Sequence, residues 1–86
     1  MISRGTIEQA YCFLHQKWTV YAGKSSERQR DDIEYAVSSY ADSMSAELYD
    51  ALSGGNREFL KDHSTFREDM VRALERLSDS MESEQV

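Results

Sequence analysis

The chain has 86 residues, 40% of them hydrophobic and 30% charged, with a formal net charge of −6. That length suits one modest core and leaves no room for a deep cleft between two domains. No apolar run approaches the roughly 20 residues of a membrane span, and the single cysteine, Cys12, excludes an internal disulfide.

The chain has no proline and four glycines. Proline breaks helices and sheets rely on glycine-rich turns, so this composition leans towards an all-α protein. The first helix is expected over 7–22, with Thr6 as N-cap, Gln9 completing a capping box and Gly23 as the stop. At 3.6 residues per turn, Ile7, Ala10, Tyr11, Leu14, Trp18 and Tyr21 fall within an arc of about 100°. Phe13 and Val20 lie beyond it on one flank, which widens the apolar arc to about 180°.

A short turn at Lys24-Ser25-Ser26 leads to a second helix over 27–43, opened by a Ser26/Gln29 capping box. Its stripe is Ile33, Ala36, Val37, Tyr40, Ala41 and Met44. Ser45 caps a short third helix over 46–52, carrying Leu48, Ala51 and Leu52, which Ser53-Gly54-Gly55-Asn56 ends. A further short helix is expected over 57–62, with Phe59 and Leu60 inward. Thr65 and Glu68 form the clearest capping box in the chain, opening a last helix over 66–81 with Phe66, Met70, Ala73, Leu74, Leu77 and Met81 on its stripe. Residues 82–86 are polar and expected to fray. The fold class is therefore a small all-α helical bundle. It has three long helices and one or two short ones, in a single domain spanning 1–81, with sequential long helices antiparallel.

Charge is unevenly shared. Residues 1–30 hold five bases against two acids, a net +3, and residues 31–86 hold five bases against fourteen acids, a net −9. An acidic body repels nucleic acid and suits a basic partner. The opposing reading places Lys17, Lys24, Arg28 and Arg30 beside Trp18 and Tyr21 as a nucleic-acid grip, since bases stack on aromatics while cations hold phosphates. A helix-turn-helix over 46–67 fails on its turn and on too short a second element. The many acids also permit mimicry of nucleic acid in a partner's basic groove.

Chemistry-bearing patterns are sparse. Cys12 and His15 share one side of a helix, but a zinc site needs further ligands and His63 is the one other histidine. Cys12 is expected to pack at the edge of the core and His15 to lie at the surface. There is no nucleophile elbow, phosphate loop or HExxH motif. Asp31, Asp32, Glu34, Glu68, Asp69 and Glu75 read as capping or solvated carboxylates rather than acid–base pairs. No enzyme activity, cofactor, metal or small-molecule substrate is expected.

What a single core leaves over is the strip Phe13 with Val20. The short helices, through Leu48, Leu52, Phe59 and Leu60, are the expected cover, and an exposed strip would mark an interface. Phe13, Lys17, Val20, Tyr35 and Tyr49 are the candidate contact residues, tyrosine being enriched at interfaces. The expected role is binding of another protein, with a homodimer through the first helix as the simplest version. The lone cysteine and the N-terminus without an apolar signal core place the chain, as an expectation, in the cytoplasm.

Overall fold

Ser3, not Thr6, starts the first helix. In the computed structural model, which describes residues 2–83, α1 runs Arg4–Ala22, and the Ser3 hydroxyl accepts from the Thr6 backbone N–H. Ser3 offers the same capping oxygen one turn earlier, and an Arg4–Glu8 ion pair at 2.9 Å supports the added turn across one helical spacing. Gly23 follows the helix in extended backbone, so it stops α1 without the left-handed conformation of a glycine cap.

α2 (Glu27–Ser43) opens as expected. Ser26 accepts from the Gln29 N–H, and the Gln29 side chain accepts from the Ser26 N–H. α3 (Ala46–Ser53) is capped by Ser45 and stopped by Gly54 at φ 64°, the left-handed position that favours glycine. Ala51 on α3 is exposed, so the stripe expected there narrows to Leu48 and Leu52.

The second short helix does not form. Residues 57–61 make turns instead, and Leu60 sits at φ 63°, which no helix accommodates. Phe59 and Leu60 are nevertheless fully buried, because the turn tucks them under the helices. A 3-10 turn over His63–Thr65 then leads directly into α4 (Phe66–Ser83). Thr65 does not act as a cap. Its hydroxyl donates to Asp69 Oδ2, the oxygen that also accepts from the Leu60 N–H, so Asp69 is buried rather than solvated. α4 reaches two residues beyond its expected end. Residues 84–86 of the expected frayed tail lie outside the described residues.

Among the described residues there are four α-helices and no strand. α1 is the central helix, with α2 on one flank and α4 on the other, while α3 packs against α4. The contacts Phe13–Tyr40 and Tyr21–Glu34 run α1 against α2 in opposite directions. Tyr21–Phe66 and Trp18–Arg67 show α1 and α4 to be antiparallel as well. One core joins Ile7, Leu14, Val37, Leu52, Met70 and Leu77 across all four helices. No helix is long and apolar enough to cross a membrane among the residues searched.

The second flank of α1 is covered, but not by the short helices. The Phe13 ring stacks on Tyr40 of α2 at 4.3 Å between centroids. α3 packs chiefly against α4. Val20 stays 47% exposed. The strip expected from spacing alone is thus split into one paired aromatic and one isolated valine.

Candidate functional site

The antiparallel packing of α1 on α4 brings Trp18 beside the first turns of α4. On an antiparallel pair, the residue near the end of one helix meets the start of the next, and Trp18 follows Leu14 on the inward stripe by one turn. Its ring is partly buried, with the Arg67 guanidinium 5.7 Å from its centroid and 5.6 Å from that of Tyr21. Arg67 is exposed, and a cation over an aromatic face is attracted by the ring quadrupole. Val71, one turn further along α4, is 37% exposed. Together with Glu68, Arg72 and Glu75, these residues line an open groove of about 500 Å³ along the α1/α4 seam. Tyr11, stacked on His15, Leu74 and Met81 continue the seam as partly buried apolar groups. A half-buried tryptophan framed by arginine and an exposed valine suits contact with a macromolecule, since Trp and Arg dominate binding energy where they occur in interfaces.

A second cluster is polar. Glu34 on α2 accepts from the Tyr21 hydroxyl at 3.2 Å and lies 2.7 Å from His63 Nδ1. The hydrogen bond to Glu34, with the Coulomb attraction behind it, raises the His63 pKa above its ordinary value. Burial, then Glu34, raises that of Tyr21. Arg30 reaches the same recess with its Nε buried and unpaired. The cluster fastens the 3-10 turn and α1 to α2.

The sequence-derived contact residues scatter. Lys17 holds its ammonium 5.4 Å above the Phe13 ring on the α2 flank, whereas Trp18 points to the α4 flank. Lys24 and Arg28 are exposed, and Arg30 turns inward towards Tyr21 and Glu34. The four bases are therefore not gathered around Trp18, whose cationic neighbour is Arg67. Tyr35 is 76% exposed on the outer side of α2. The Tyr49 hydroxyl donates to the carbonyls of Arg57 at 3.0 Å and Phe59 at 2.9 Å, so its polar end is committed to holding the turn after α3. Cys12 is exposed rather than packed at the core edge, because its position on α1 faces neither α2 nor α4. His15 lies at the surface, as expected. No three histidine, cysteine, aspartate or glutamate side chains are grouped to hold a metal among the described residues.

Sequence reasoning missed the seam because Trp18 sits on the inward stripe and Val71 sits off the stripe of α4. The one available signal was Val71 itself, an apolar residue between Arg67 and Glu75 at helical spacing. Comparison with protein-family models, curated proteins and solved structures found no match.

Proposed function

We propose that this chain acts by binding another protein chain through the α1/α4 seam, without catalysis of its own. The observation that carries this reading is Trp18, half-buried in a groove where Val71 is exposed and Arg67 and Arg72 are at hand. Interface energy concentrates in such aromatic and arginine anchors within an apolar setting. The reading replaces the Phe13/Val20 strip, whose aromatic member is already stacked on Tyr40.

The test compares the two flanks of α1. Purified wild type, Val71→Asp and Val20→Asp are immobilised and used to capture proteins from the native cell. Val71→Asp is expected to lose at least about tenfold of the captured material, the equivalent of one hot-spot contact. Val20→Asp is expected to retain it. Helicity by circular dichroism checks that all three fold, since both valines are exposed. Equal capture by Val71→Asp and wild type, or loss in Val20→Asp alone, refutes the seam.

A further inference from the structure

The seam is its own electrostatic complement. α4 presents Arg67, Val71 and Glu75 at intervals of four residues, so a cation, an apolar group and an anion stand one turn apart on one face. At about 1.5 Å per residue, each charge lies roughly 6 Å along the axis from Val71. A two-fold axis at Val71, perpendicular to the inclined row that these three residues make, carries Arg67 of one chain onto Glu75 of a second chain, and the reverse. Two ion pairs then flank a Val71–Val71 contact, with a Trp18 ring at each side. A parallel arrangement would instead set arginine on arginine and glutamate on glutamate.

No carboxylate or base among the described residues pairs with either of these charges. Arg67 lies against Trp18 and Tyr21, and neither Arg67 nor Glu75 makes an ion pair among the described residues. The chain carries −6 overall, so two copies repel at most approaches. At the groove, Arg67 and Arg72 balance Glu68 and Glu75, which makes this a face where that repulsion is locally relieved. A uniformly acidic or basic partner would meet a like charge at one end of the triplet, whereas a second copy meets an unlike charge at both.

We infer that the occupant of the α1/α4 seam is a second copy of this chain, laid antiparallel across α4 about a two-fold axis at Val71. The inference rests on the protein-binding reading above and names its partner. A two-fold interface reuses one patch, which is what a palindromic cation–apolar–anion order provides.

The test is sedimentation equilibrium at low salt on wild type, Arg67→Glu, Glu75→Arg, and an equimolar mixture of the two variants. Wild type is expected to dimerise. Each single variant should weaken association by at least about tenfold, because like charges then face each other at both ends. The mixture should recover a heterodimer, since each variant carries the signs that the other lacks. Glu75 is exposed and makes no hydrogen bond or ion pair among the described residues, so Glu75→Arg reports the interface even if Arg67→Glu disturbs packing under Trp18. A wild type that stays monomeric at all concentrations overturns the inference, as does a single variant that dimerises like wild type. A monomer that still captures a cellular protein in a Val71-dependent way overturns the two-fold while leaving the protein-binding reading in place. Loss of both would end both.

Discussion

Leu60 is fully buried yet holds a positive φ of 63°, a conformation that costs a non-glycine residue roughly 1–2 kcal/mol. What keeps it there is Asp69. Its Oδ2 accepts from the Leu60 N–H at 3.0 Å and from the Thr65 hydroxyl at 3.2 Å, so one carboxylate closes the chain between the turn and α4. Burial of the leucine side chain, worth about 1.5–3 kcal/mol, is of the size needed to offset that backbone cost. Asp69→Ala should strand the Leu60 N–H and destabilise the protein by about 1–3 kcal/mol in urea denaturation. A variant as stable as wild type would show that the turn is held by packing alone. In the sequence Asp69 is indistinguishable from a carboxylate at the first turn of a helix. Its acceptor role depends on a donor nine residues away that helical spacing does not address.

The helices themselves were legible, element by element, where the signal was local. Ser26 with Gln29 and Ser45 before α3 give caps whose partners are three residues away, and both form. The segment 57–62 was not legible, because its inward Phe59 and Leu60 suit a helix and a turn equally well. The joint that follows is tied to α2 through His63 and Glu34 at 2.7 Å. The His63 pKa is raised in the folded chain by its hydrogen bond to Glu34. Its contribution is therefore complete below the unfolded histidine pKa of about 6.5 and is lost as pH rises through the higher folded value. His63 is largely exposed, so the effect on stability is small and best read at the residue. In an NMR titration, Glu34→Gln should return the His63 midpoint towards the ordinary histidine value. A midpoint that does not move would mean the pair is not formed in solution.

At the scale of the molecule, everything hangs on the position of α1 between α2 and α4. Leu14 is fully buried at the centre of that arrangement and Val20 is 47% exposed on its outer side. Leu14→Ala should cost about 2–5 kcal/mol, and Val20→Ala should fall within about 0.5 kcal/mol of wild type. Similar losses at the two positions, measured by thermal or urea unfolding, would contradict the central placement. The sequence by itself determined the helical class, the caps of α2 and α3 and most inward residues, because these follow from a repeat of 3.6 residues and bonds that span three or four. Only the tertiary structure decided that Tyr40 rather than α3 covers Phe13, that Arg67 rather than Lys17 attends Trp18, and that Val71 is left open at the seam. Those outcomes depend on which helix docks on which flank of α1. Periodicity along one helix says how wide its apolar face is, but carries no information about the neighbour that covers it.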